Sequence, residues 1–290
     1  MKKFIRTLTA AALAAVMCAS VAGCSAMIAE INGAADLVGK TIGVQLGTTG
    51  DILAQDIDDA EILQYNKGAS AIMALTQGKV DAVIIDDQPA KVFVEKNEGL
   101  VILNEEFTIE EYAIAVKKGN TELKESINGA LAELKADGTL TAIKDYWIDS
   151  ATDSDVVKTS AYTTPEGTTY PNGQLVMATN AEFPPYESIA GDDIVGYDVD
   201  MMRAVCDKLG YELVIENIDF DSIIASVNSG KADVGVAGMS VTEDRLQNVD
   251  FTDTYISAKQ VIIVKAESVT DSAATTKASA ANDVSSAEAE

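Results

Sequence analysis

The chain has 290 residues, 47% of them hydrophobic and 23% charged, a formal net charge of −25 and no histidine. That is enough apolar material for one or two buried cores, while so acidic a balance excludes a nucleic-acid binder, whose footprint is basic. Without histidine there is no Ser-His-Asp or Cys-His catalysis, no histidine base and no histidine-ligated metal.

Lys2, Lys3 and Arg6 precede an apolar run from Leu8 to Gly23, too short and Ala-rich to span a bilayer comfortably, so residues 1–23 read as a signal peptide. It ends in Val21-Ala22-Gly23-Cys24, which resembles the lipobox of bacterial lipoproteins. That resemblance implies lipidation of Cys24, a spacer over 24–35, and an extracytoplasmic protein held to the bacterial cell membrane by its lipid alone. The plainer alternative is an ordinary signal peptide that happens to contain a cysteine. Cys18 falls within the leader and Cys206 has no partner, so no disulfide framework is expected. Cys206 shares a helical face with Met202, Val205 and Leu209, which predicts a buried apolar role.

From Lys40 the chain alternates strand and helix. "KTIGVQL", "AEILQYN", "KVDAVIID", "GLVILN" and "YAIAVKKG" read as strands. Helices are predicted after "GTTGD", over "ASAIMALTQG" and over 88–97, followed by two helical patterns up to Trp147. Residues 150–172 are polar and read as a linker. Alternation resumes with the strand "LVMAT", a Pro184-Pro185 loop, a helix over 198–209, the strand "YELVIEN" and a helix over 220–228. "ADVGVAG", a short helix after Thr242 and the strand "KQVIIVK" complete it. Residues 266–290 read as a disordered acidic tail. This pattern predicts an α/β fold with largely parallel sheets.

"AIMALTQGKVDAVIID" and "IIASVNSGKADVGVAG" form a weak repeat: helix, Gly-Lys-x-Asp, buried strand. In open α/β sheets ligands bind beyond the carboxyl ends of strands. Four such ends carry Gln45 to Thr49, Asp86, Asn180 to Phe183, and Gly238 to Arg245. Arg245 offers a fork to a carboxylate. Ser240, Thr48 and Thr49 offer hydroxyls and backbone N–H groups suited to an anion, and Asp86 can accept an ammonium. Phe183, Phe220 and Tyr186 offer faces for a side chain. Together they describe a pocket for a zwitterion, a free amino acid. Each residue also has a bland reading: Arg245 on the surface, Asp86 as a helix cap, Phe220 in the core.

The stretches "LVMATNAEFPPYES", "GYDVDMMRAV", "DFDSIIASVNSGKADVGVAGMSVTEDRLQNVDFTDTY", "DLVGKTIGVQLGTTGD", "GKVDAVIIDD" and "ELKADGTLTAIKDYW" closely resemble the extracellular solute-binding proteins of polar amino-acid ABC transporters (family 3). The resemblance implies a two-lobed, periplasmic-binding-protein-like type II fold that closes on an amino acid and hands it to a membrane permease and its ATPase. It implies a monomer, with no catalysis, cofactor, metal or nucleic acid. By the same resemblance Arg245, with Ser240 and Thr49, takes the α-carboxylate. Asp86 and the Gly238 carbonyl take the ammonium, and Phe183 and Phe220 sandwich the side chain. Asn180 stands where relatives often have Asp, and Glu182 is nearby.

The order of the halves departs from the family: "DLVGKTIGVQLGTTGD" precedes "ATNAEFPPYES" here, as in a circular permutation. The expected lobes are 36–111 for lobe two, and 118–149 with 172–265 for lobe one, joined by a hinge crossover at 112–117 and the linker 150–171. In that arrangement the new ends sever a second crossover. Two rival readings are an amino-acid sensor or uncoupled duplicate and a dehydratase-like enzyme on this fold.

Overall fold

A computed structural model describes residues 30–105, 108–149 and 158–270. The expected signal peptide, Cys24, the first part of the linker and the tail from 271 onward lie outside the described residues. The lobe around the first half holds β1 (Thr41–Gln45), β2 (Glu61–Tyr65), β3 (Ala82–Asp86), β4 (Leu100–Ile102) and β5 (Thr108–Tyr112). Its helices are α1 (Thr49–Ala54), α2 (Gly68–Thr76) and α3 (Asp87–Lys96). β3 is buried at every position, as a central strand covered on both faces should be.

The other lobe contains β6 (Ala115–Lys117), α4 (Thr121–Ala136), α5 (Thr139–Lys144), β7 (Gln174–Thr179), a hairpin sheet of β8 (Glu182–Phe183), β9 (Glu187–Ala190) and β10 (Asp193–Val195), and α6 (Tyr197–Leu209). β11 (Glu212–Asn217), α7 (Ile223–Ser229), β12 (Val234–Gly235), α8 (Glu243–Leu246) and β13 (Val249–Phe251) follow. The last strand, β14 (Ile256–Lys265), returns to the first lobe.

The sheet orders are β2-β1-β3-β14-β4, with β5 also on β14, and β11-β7-β12-β6-β13. Both are mixed. β14 runs antiparallel to β3, β4 and β5, and β6 antiparallel to β12 and β13. The largely parallel sheets expected from alternation are therefore corrected at the strands that enter from the opposite lobe. "YAIAVKKG" is likewise two strands in two sheets rather than one.

The repeat has a structural basis. In each lobe its glycine, Gly78 or Gly230, ends a helix with φ near +70°, a conformation open to glycine at little cost. The aspartate three residues on then clamps a neighbouring strand, β1 in one lobe and β7 in the other. Asp81 accepts the Thr41 N–H at 2.9 Å and Asp233 the Val176 N–H at 2.8 Å.

Two segments, 113–114 and 252–255, join the sheets. They run side by side: the Thr252 N–H donates to the Ile114 carbonyl at 3.0 Å and the Tyr255 N–H to the Tyr112 carbonyl at 2.9 Å. No crossover is severed. Residues 256–265, expected in lobe one, are a central strand of lobe two. The first and last described segments meet away from the hinge, on that lobe, where the Ile31 N–H donates to the Ser268 carbonyl at 2.8 Å. Residues 266–270, expected in the disordered tail, are instead tied down. The linker, too, is packed where described: the Ala161 N–H reaches Asp200 at 2.5 Å and the Tyr162 hydroxyl Asp207 at 3.0 Å. Cys206 is buried as expected, and burial pushes its thiol up to about 12.

Candidate functional site

The four loops identified from the sequence converge between the lobes. Gln45, Thr48, Thr49, Asp86, Asn180, Phe183, Phe220, Gly238 and Arg245 line one cavity. Ser240 stands in its wall, its hydroxyl accepting from the Thr49 hydroxyl at 3.2 Å. The walls are drawn together and leave a cavity of about 10 Å³, room for about one water molecule.

Arg245 is fixed by its short helix. Thr242 caps that helix by accepting the Arg245 N–H at 3.2 Å, which satisfies one of the orphan donors of a helix start. Arg245 is buried, 6% exposed, so the surface reading of this residue is set aside. Its guanidinium donates to the Ser240 carbonyl at 2.7 Å and to the Gly47 carbonyl of the facing lobe at 3.0 Å. Its central carbon stands 5.4 Å from the Phe220 ring centroid, a cation–π distance. Burial lowers the Arg245 pKa, and the Glu110 and Asp86 carboxyls oppose that shift. Phe220 is both core and pocket: it packs in an apolar cluster with Ile223, Val227 and Phe251.

Asp86 does occupy the cap position of α3, yet its side chain makes no capping bond. It turns instead to accept from the Tyr112 hydroxyl. Burial raises its pKa well above the carboxylate range, Glu110 adds to the rise, and the Tyr112 and Gln260 hydrogen bonds oppose it. Thr48, by contrast, uses its hydroxyl on structure: it donates to the Gln45 carbonyl at 2.7 Å and accepts the Asp51 N–H as cap of α1. Thr49 is the hydroxyl that faces across the cleft.

Asn180 accepts from the Gln45 amide at 2.9 Å and donates to the Ile218 carbonyl at 2.9 Å. Glu182 is bound to Lys67 of the opposite lobe at 2.5 Å; both are partly exposed, so this pair contributes little stability. Gly238 has φ +53°, and a Cβ there would stand 2.7 Å from the Phe183 ring. Only glycine lets the backbone pass so close to the aromatic floor. Phe183 itself stacks on Tyr186 with centroids 5.7 Å apart.

Sequence reasoning missed Glu110 and Gln260. Gln260 donates to Glu110 Oε1 at 2.5 Å, and the Ser240 hydroxyl donates to Glu110 Oε2. Both residues sit behind the pocket on β5 and β14, neighbouring strands of one sheet next to the segments that join the lobes. It also missed the pair beneath the floor. Asp198 accepts the Gly238 N–H at 2.9 Å and the Tyr255 hydroxyl at 3.0 Å. Beside it Glu187 is fully buried, with the Asp198 carboxyl as its hydrogen-bonding neighbour.

Chemically, the arrangement offers the Arg245 guanidinium, the Thr49 and Ser240 hydroxyls, the Asp86 carboxyl and the Phe183 and Phe220 faces around one cavity, with the Glu110 carboxyl hydrogen-bonded to Ser240. The chain is 39% identical over 95 residues to an arginine-binding extracellular protein of Bacillus subtilis, a stretch covering 33% of this chain and 37% of that protein. It is 35% identical over 119 residues to an L-cystine-binding protein of Escherichia coli, covering 40% of this chain and 45% of the other. Each match therefore spans less than half of the relative's length. Among solved structures, an ancestral arginine-binding protein bound to arginine is 42% identical over 29% of this chain and 38% of its own, with a TM-score of 0.29. The family model for bacterial extracellular solute-binding proteins, family 3, matches residues 39–150 and 175–283, and the chain belongs to that family.

Proposed function

We propose that the cleft binds a free polar amino acid outside the cytoplasm and delivers it to the permease and ATPase of an ABC importer, without catalysis. The observation that carries this reading is the buried Arg245 fork facing Asp86 across one cavity. Arg245, Ser240 and Thr49 take the α-carboxylate; Asp86 and the Gly238 carbonyl take the ammonium; Phe183 and Phe220 flank the side chain, with Gln45 and Asn180 at its far end. In the closed state Arg245 spends one N–H on the Gly47 carbonyl of the opposite lobe, and the cavity is too small for an amino acid. Entry therefore requires the lobes to part about the paired segments 113–114 and 252–255, as in hinge closure around a ligand.

The same proposal includes lipidation of Cys24, a monomeric state and a circularly permuted order. The permutation is supported by the hydrogen bond between Ile31 and Ser268, which brings these two segments together where a chain in the usual family order would run on continuously.

Titration calorimetry of the mature protein against a panel of free L-amino acids tests the function. One or more polar amino acids should bind. Arg245→Ala should weaken binding by about 30-fold or more, the cost of leaving a buried charge unpaired. Uniform failure to bind, or an Arg245→Ala variant that binds as tightly, would refute the reading.

A further inference from the structure

The ammonium end of the pocket holds more acid than one ammonium needs. β14 lies between β3 and β5, with Gln260 opposite Asp86 and Ala258 opposite Glu110. Residues 258 and 260 point to one face of β14, so Asp86, Gln260 and Glu110 share a face of the sheet. That face looks onto the cleft, where Arg245 and Ser240 approach from the other lobe. Donors there are scarce. The Tyr112 hydroxyl serves Asp86, while the Ser240 hydroxyl and the Gln260 amide serve Glu110. The Oε1 of Gln260 is buried with no partner among the described residues. A buried cluster with an unfilled acceptor calls for a donor-rich group, and an ammonium brings three N–H donors.

We propose that Glu110 is a further member of the ammonium end, that Asp86 carries a proton in the ligand-free pocket, and that an incoming amino acid expels this proton to solvent. This inference rests on the amino-acid reading of the cleft. Its physical basis is the direction of the ligand dipole. The α-ammonium enters beside Asp86 while the α-carboxylate lies farther off on Arg245, so the field added at Asp86 is net positive. A neutral acid cannot serve as the acceptor of an ammonium as well as a carboxylate can. The balance is simple: the Asp86 O–H bond breaks, its proton leaves with solvent, and an ammonium N–H takes its place on the carboxylate. The titratable groups around Asp86 are Glu110 and Tyr112 on β5, Arg245 on α8, Asp87 on α3, and Tyr186 and Glu187 from the hairpin. Burial and the Glu110 charge favour the protonated state before binding.

The consequence is proton-linked affinity. Bound protein holds fewer protons than free protein, so affinity rises with pH wherever free Asp86 is protonated. The test is calorimetry of the mature protein with L-arginine and L-glutamine at two pH values about one unit apart near neutrality, each in buffers of different ionisation enthalpy. The slope of heat against buffer enthalpy counts protons. About one proton should be released per amino acid bound, and affinity should rise up to about tenfold per pH unit. Glu110→Gln keeps an acceptor for Ser240 but removes the charge, and should bring the count well below the wild-type value. A wild-type count of zero with normal binding overturns the proposal, as does an unchanged count in Glu110→Gln. The wild-type count stands even if that variant folds poorly. Absence of binding by these two and by every other free L-amino acid of the panel would instead refute the amino-acid function itself, and this inference with it.

Discussion

The Gln45 amide donates to the Asn180 amide oxygen at 2.9 Å, with both residues buried and each on a different lobe. One bond thus reads closure and lines the far end of the pocket together. Asn180→Asp places a carboxylate there, still able to accept from Gln45 but now attractive to a cationic side chain. Affinity for L-arginine relative to L-glutamine should rise about tenfold, the worth of one charge-assisted hydrogen bond. Competition calorimetry measures the ratio, and an unchanged value would remove Asn180 from the side-chain end.

Arg245→Lys separates charge from geometry. Lysine keeps the positive charge but loses the planar fork and the stacking on Phe220, 5.4 Å away. At a bidentate, stacked site that exchange is not conservative, and affinity should fall about tenfold to a hundredfold. The expected loss lies between wild type and Arg245→Ala in the same titration.

Much of this site was legible because its parts stand at the ends of apolar strands, where Gly, Thr, Asp and Asn interrupt a buried run. Glu110 was not, because "TIEEY" carries two adjacent acids and looks like a solvated edge. The available signal was period-two alternation: Glu110 and Tyr112 are buried while Ile109 is 73% exposed. The sheet that receives 256–265 was also hidden. Local periodicity identifies a strand but not its partners, and here those partners lie about 150–180 residues earlier in the chain. The same gap led to the expectation of a severed hinge.

Asp200 anchors lobe one from within. Its carboxylate accepts from Trp147 Nε1 at 2.7 Å, the Ser160 hydroxyl at 2.7 Å and the Ala161 N–H at 2.5 Å. Asp200→Ala strands the buried indole N–H and a backbone N–H together, which should cost about 2–4 kcal/mol. Urea denaturation should show a lower midpoint with an unchanged slope.

The acids beneath the floor make stability depend on pH. Burial raises Glu187 well above the carboxylate range, with Asp198 adding to it, and raises Asp198 to about 6. A carboxyl whose folded pKa exceeds its unfolded one binds protons more tightly when folded. Its contribution is fully present below the unfolded value and lost as pH rises through the folded value. For Asp198 the loss falls between about pH 4 and pH 6 and amounts to about 3 kcal/mol. Asp198→Asn should therefore flatten this part of the stability profile, whatever its stability at any one pH. Melting curves from pH 4 to pH 8 give the slope, and parallel profiles for variant and wild type would exclude the effect.

The two ends of the described fold close on each other without a peptide bond. Ile31 is 1% exposed, and its N–H donates to the Ser268 carbonyl at 2.8 Å. The Asn32 side-chain oxygen receives both the N–H and the hydroxyl of Thr270 at 2.9 and 2.8 Å, and Val269 packs against the same core cluster as Ile31 and Leu37. A chain ending at residue 265 loses all of these contacts, whereas one ending at 270 keeps them. The shorter chain should be less stable by about 2–4 kcal/mol, from the lost hydrogen bonds and the partly uncovered Ile31. Its hinge segments are untouched, so amino-acid affinity measured well below the melting temperature should stay within about threefold. Equal denaturation midpoints for the two chains would mean that the seam contributes nothing. A large loss of affinity at equal stability would mean that the ends act on the cleft and not only on the lobe that carries them.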